Sequence, residues 1–349
     1  MLLRTRVRVF ALAAVSVALV SVSSTAHAAD VASFDFATPI FGLSNGPEGS
    51  LLVADAGQGI VELRGDSGQL VASLPDATDV AKIGEHAMWA LTSGADKKLY
   101  IVRRDGTERV IADIGAFEAS VNPDRGEIDS NPFDLAKLGD GRVLVADAAA
   151  NALLTVNRRG RIDWVATLPD ERVPTSNAKH LVGCPDPQDP QNAFVCDLPD
   201  RIPAQAVPTS VAVGPDGAYY LGELKGFPAP LGRSRIWRIE PGTRHAECGS
   251  RPACSVVADG FTSIVDINFG PDGTLHVVEL DEASFLAVEL GGADAVGGTI
   301  DACTWGSFAC TKEASDLPMP IAVTVRNRAV YAAIWALVPG QAQVIRLSG

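Results

Sequence analysis

The chain repeats itself. NGPEGSLLVAD from Asn45 to Asp55, GDGRVLVAD from Gly139 to Asp147, GPDGAYYLGE from Gly214 to Glu223 and GPDGTLHVVE from Gly270 to Glu279 are variants of one unit. Each reads as turn, strand and terminal acid, and an apolar run ahead of the turn supplies a first strand. Weaker copies run from Asp79 to Leu91 and from Pro320 to Ala333, which makes six units. One or two further β-rich runs follow each unit, among them Ile60–Leu63 and Leu70–Ser73, Leu99–Val102 and Arg109–Ala112, Leu153–Val156 and Ile162–Thr167. Four short antiparallel strands, repeated six times with almost no helical periodicity, predict an all-β six-bladed β-propeller. An open sandwich is the alternative, but it requires no count of six. The last repeat offers only three strands, so the alternating stretch Val31–Ala37 is expected to supply the fourth and remove the open edges.

Residues 1–28 read as a signal peptide, leaving residues 29–349 as one propeller domain. Arg4, Arg6 and Arg8 precede the apolar run Val9–Val22, and Ala26-His27-Ala28 fits a cleavage site after Ala28. That run is too short for a membrane span, and no later one qualifies, so a secreted or periplasmic product is expected. The cysteines agree with that address. All six fall in the C-terminal half as sequence neighbours, Cys184 with Cys196, Cys248 with Cys254 and Cys303 with Cys310, so three local disulfides are the simplest reading. The chain holds 42 acidic against 29 basic residues, a net charge of −13. This balance argues against a nucleic-acid or anionic-lipid partner, since both need clustered cations.

Three stretches carry a family resemblance: Val207–Gly217, GELKGFPAPLG from Gly222 to Gly232, and AFEASVNPDRGEIDSNPF from Ala116 to Phe133. In these the chain resembles the ScyD/ScyE family, exported propellers similar to NHL-repeat proteins and named for gene clusters of the pigment scytonemin. The likeness spans nearly the whole mature chain, and departs from it in the Cys-bearing insertions and at Leu91-Thr-Ser-Gly94. It implies the fold, export and a link to pigment or secondary-metabolite pathways; it implies no defined reaction.

A chemical site must therefore come from the residues. With two-residue turns at Asp140-Gly141 and Asp272-Gly273, Asp134 falls opposite Asp147 and Asp266 opposite Glu279. The same rule sets Ser210 opposite Glu223 and Gly42 opposite Asp55, with Asp79 at the matching place in blade 2. Opposed carboxylates about 5 Å apart repel by about 3 kcal/mol at a dielectric of about 20, which calls for a compensator. Oxygen ligands with few imidazoles favour calcium or another hard divalent cation. On this reading Asn131, Asp134, Asp266, Glu279 and Asp147 are candidate ligands and Asp79 a candidate general base. The alternative is structural: a strand-end acid commonly accepts backbone N–H groups, and a repeat inherits it in every blade.

The long loops Phe117–Ser130, Glu171–Val207 and Leu224–Gly232 all leave from the face where the inner strands begin. That loop-covered face is the expected seat of a small-molecule or protein partner. Phe227 and Pro228 are candidate walls of a ligand pocket, and His180 is the histidine placed above it. No phosphate loop, zinc-protease or serine-hydrolase motif is present. Two functions follow: an exported binding or assembly module, or a divalent-metal-dependent lactonase- or esterase-like hydrolase working at the central channel.

Overall fold

In the computed structural model, residues 29–347 are described apart from 33, 35, 38 and 251. Residues 1–28, read from the sequence as a signal peptide, lie outside the described residues. Six antiparallel sheets form six blades of four strands, each blade running from the innermost strand outward. The inner strands are Ile40–Asn45, Ala77–Gly84, Pro132–Lys137, Pro208–Val213, Ile264–Phe269 and Ala322–Arg326. Blade 6 is completed by the N-terminal strand Ala29–Ala32, which pairs antiparallel with Gln343–Arg346. The closing strand is thus present, displaced slightly toward the N-terminus of the stretch read for it.

Second strands are buried on both faces. Leu51–Asp55, Val143–Asp147, Tyr219–Glu223 and Leu275–Glu279 hold no exposed residue. The reason is that each blade packs between two others, so these strands read as continuous apolar runs. The core is accordingly a series of interblade seams. Trp89, Leu91 and Leu99 of blade 2 meet Leu135, Val145 and Leu154 of blade 3. Leu144, Leu153 and Val165 meet Leu221, Trp237 and Ile239 of blade 4. Each such side chain contributes about 1.5–3 kcal/mol by leaving water.

The three expected disulfides form as read, Cys184–Cys196, Cys248–Cys254 and Cys303–Cys310. The segment just ahead of Cys248 crosses between blades. There Ala246–Glu247 pairs parallel with the outer strand Ile162–Thr167 of blade 3, adding a fifth strand. Beside it the His245 ring stacks on Trp164 at 4.7 Å, and its Nε2 lies 2.8 Å from Asp163. Among the described residues no helix is long and apolar enough to cross a membrane.

The register of the first hairpins corrects the sequence reading. Lys137 pairs with Val143 and Asp134 with Ala146, whereas Asp147 lies opposite Pro132. Likewise Asp266 pairs with Val278 and Glu279 with Ile264. Two local features cause this. The turns are three residues long, ending on Gly141 and Gly273 at φ +84° and +86°, where a side chain is strained. A bulge then follows at the start of each first strand, between Pro132 and Asp134 and between Ile264 and Asp266. The opposed carboxylate pairs do not exist; the acids separate into two sets with different surroundings.

Candidate functional site

The first set closes the second strands. Asp147 is fully buried and accepts the Asn131 N–H at 2.7 Å, the Ser130 hydroxyl at 2.6 Å and the Ala150 N–H at 3.3 Å. Asp55 does the same for the N–H groups of Ala37, Gly57 and Gln58. Glu279 accepts the Thr262 N–H and the Thr299 hydroxyl. Glu223, also without exposure, takes Arg235 Nε at 2.7 Å, Lys225 Nζ at 2.9 Å and Trp237 Nε1 at 3.2 Å. In three of the four blades the acid holds the incoming interblade segment, and in each it braces the exit from the second strand. Asn131 belongs to this neighbourhood, where its Oδ1 accepts the Ser93 hydroxyl.

The second set rings the central channel, a space of about 280 Å3 bounded by the inner strands. Asp79, Asp134 and Asp266 occupy the same post-bulge position in blades 2, 3 and 5. Each reaches sideways to the next blade: Asp79 accepts the Leu135 N–H at 3.0 Å, Asp134 the Val211 N–H at 2.5 Å and Asp266 the Val323 N–H at 2.7 Å. Hydroxyls of the same strands add to the closure, Ser44 donating to Val80 O at 2.6 Å and Thr209 to Ile264 O at 2.7 Å. Blades 1, 4 and 6 carry Gly42, Ser210 and Ala322 at that position. Asp79 fills the room beside Gly42, where an added Cβ would lie 2.2 Å from its Oδ1.

The three carboxylates share one low-dielectric space. Burial pushes Asp79 up to about 7. It raises Asp134 well above the usual carboxylate range, with the Asp79 charge adding to it, and raises Asp266 likewise, helped by Asp134. Asp79 and Asp134 are hydrogen-bonded carboxyl to carboxyl, an arrangement that needs a proton between them. Asp79 is buried, while Asp134 and Asp266 keep part of their surface open to the channel.

Three residues further along each inner strand the lining changes character. Asn45, Lys82 and Lys137 stand at the far ends of blades 1 to 3, with Val213 and Phe269 at the matching positions of blades 4 and 5. These residues were not singled out from the sequence, although their constant offset from the aspartate position is visible once the six repeats are aligned. At the other end the channel is bounded by the buried rings of Phe41 and Phe133, edge to face at 5.6 Å.

Over that end lie the long loops. The Glu171–Pro174/Arg201–Ala204 hairpin and the helix Ser176–Leu181 form one excursion. Asn177 at the base of this helix donates to Ala229 O at 2.7 Å and to the Ser284 hydroxyl at 3.0 Å, tying the loops of blades 4 and 5 together. Phe227 is half-buried against Val182, Val195 and the Cys184–Cys196 disulfide, and Pro228 is buried. His180 sits exposed on the same helix. The structure therefore brings Asp79, Asp134 and Asp266 together, places Asn131, Asp147 and Glu279 apart from them, and joins Phe227 to the excursion without His180. Among the described residues no group of three or more His, Cys, Asp or Glu side chains is arranged to hold a metal ion.

Solved structures resemble the whole chain. Virginiamycin B lyase from Staphylococcus aureus matches over 90% of this chain and 84% of its own, with 14% identity and a TM-score of 0.52. The PQQ-bound aldose sugar dehydrogenase of Streptomyces coelicolor covers 91% and 96%, with 10% identity and a TM-score of 0.55. The Trichoderma reesei protein of carbohydrate-active enzyme family AA12 covers 95% and 100%, with 12% identity and a TM-score of 0.56. The likeness is one of fold. At such identities a propeller that hosts a lyase or a dehydrogenase lends this chain its architecture and no reaction. No protein-family model matches the chain, and no curated protein does.

Proposed function

We propose that this chain is an exported β-propeller of the binding kind, akin to the ScyD/ScyE propellers, that takes a small molecule into its central channel. The observation that carries this reading is the channel's own lining. Three carboxylates are kept there, two of them partly open, where apolar side chains would avoid the cost of burying charge. The hydroxyls of Ser44, Thr78 and Thr209 in this lining are donated to Val80 O, Pro132 O and Ile264 O, which engages them in joining blades. A thermal-shift screen of small amines, sugars and peptides tests it. A ligand held at 100 times its Kd stabilises by about 2.7 kcal/mol, a shift of several degrees. That shift is expected to vanish when Asp134 and Asp266 are both replaced by Asn, which strips the channel of its open carboxylates; hits that persist undiminished in the variant would place binding elsewhere.

One observation favours the hydrolase as a second reading. Asp79, raised to about 7 chiefly by burial, suits a general base near neutral pH, and Asp134 and Asp266 stand beside it as partners for an added divalent ion. Calcium, magnesium and chelator melts decide it. If this reading holds, an ion raises the melting temperature of the wild type and leaves Asp266→Asn unmoved; identical melts with ion and with chelator remove it. A protein partner belongs on the loop-covered face, where Ile128, Phe194 and Val296 are exposed.

A further inference from the structure

The two ends of the channel lining carry opposite charge. At one level stand Asp79, Asp134 and Asp266; three residues along the same strands stand Lys82 and Lys137. Strand rise puts these levels about 10 Å apart. The lysines occupy equivalent positions on adjacent blades, close enough that the Lys82 charge, after burial, holds the Lys137 ammonium below the usual lysine range. Lys82 has a partner in Glu85 at 3.1 Å, but Lys137 pairs with no carboxylate among the described residues. Asn45 continues the polar side of this level, whereas Val213 and Phe269 line the opposite side. A channel with carboxylates deep inside, an unpaired ammonium near the other end and an apolar wall facing it is complementary to a molecule of the reverse polarity.

We propose that the channel's ligand is a short, extended zwitterion: a free peptide of two to four residues bound by its two termini. Its α-ammonium enters first and lies against Asp134 and Asp266. Its C-terminal carboxylate lies against Lys137 and Lys82, and its last side chain packs on Phe269 and Val213. An extended tripeptide spans about 10 Å, the spacing of the two levels. Opposite charges along one path also set direction, because the peptide entering backwards meets like charge at both ends. The proposal deepens the channel-binding reading and rests on it.

Calorimetric titration of the mature protein with triglycine, triglycine amide and N-acetyl-triglycine tests it, beside n-propylamine as a cation alone. Triglycine is expected to bind at least tenfold more tightly than either blocked form, and Gly-Gly-Leu more tightly than triglycine. Lys137→Met should make triglycine and its amide equal, and Asp266→Asn should do so for triglycine and its acetylated form. Both variants are to be compared with wild type by melting temperature, so that a folding defect is not mistaken for a lost contact. Binding of propylamine, abolished when Asp134 and Asp266 are both replaced by Asn, with no gain from a free carboxylate, would overturn the zwitterion while leaving channel binding intact. Failure of every probe would overturn both.

Discussion

Asp147→Ala is expected to lower the melting temperature by about 5–10 °C, although the residue lies outside the channel. Its carboxylate is closed to water and satisfies the Asn131 N–H, the Ser130 hydroxyl and the Ala150 N–H. Alanine leaves these donors buried with nothing to accept them, at about 1–3 kcal/mol for each group that finds no other partner. At roughly 2–4 °C per kcal/mol in a domain of this order, even two such groups produce a fall of that size. Burial holds the Asp147 carboxyl at about 6, so it is largely ionised at neutral pH and its hydrogen bonds are charge-assisted. Asp147→Asn keeps one acceptor oxygen and should fall between. A melt of the alanine variant within 2 °C of wild type would show that the acid does not brace the fold. The same loss on chelating the wild type would instead assign it to an ion.

The channel acids should respond in the opposite sense. Burial raises Asp79 to about 7 and lifts Asp134 and Asp266 well above their usual range. A carboxyl raised on folding binds its proton more tightly in the native state than in the unfolded chain. Its stabilising contribution is therefore full below about pH 4 and lost as pH climbs through the folded value. Wild-type protein is expected to melt several degrees lower at pH 8 than at pH 5. Asp134→Asn removes one of the crowded charges and retains an oxygen for the Val211 N–H. It should flatten the profile and melt above wild type at pH 8. A wild-type melting temperature that is level or rising over this interval, or an Asn variant that melts lower at pH 8, refutes the shared-proton cluster.

Much of the architecture could be read from residues alone because a repeat multiplies a weak signal. One turn-strand-acid unit proves little, but six in succession require six blades, and an unpartnered strand ahead of them required a seam. The disulfides followed from sequence neighbours that turned out to be spatial neighbours. The site was harder. Pairing arithmetic depends on the length of each turn, and the difference between Asp140-Gly141 as a two-residue turn and Gly139-Asp-Gly141 as a three-residue turn moves every partner by one. The bulge after Pro132 moves them again. Both depend on local backbone geometry, and a Gly-ended turn fits either length. The placement of Asp79, Asp134 and Asp266 on inner strands beside the channel was nonetheless legible from the repeat. Lys82 and Lys137 were not, because a lysine at a strand end looks like any solvated surface lysine until the opposite wall is known. The covering of the channel by Phe41, Phe133 and the loop excursion likewise depends on contacts between segments far apart in sequence.

The seam in blade 6 has a consequence for the order in which this molecule can come into being. Its two strands, Ala29–Ala32 and Gln343–Arg346, are among the first and the last parts of the domain to be synthesised. A nascent chain can stack blades one after another, yet it carries an unmated strand until Gln343–Arg346 has been made. Completion is withheld from every truncated product, however many intact blades it holds. The ring thus tests for both of its ends at once, since only a chain that holds Ala29–Ala32 and Gln343–Arg346 together can hide both edges.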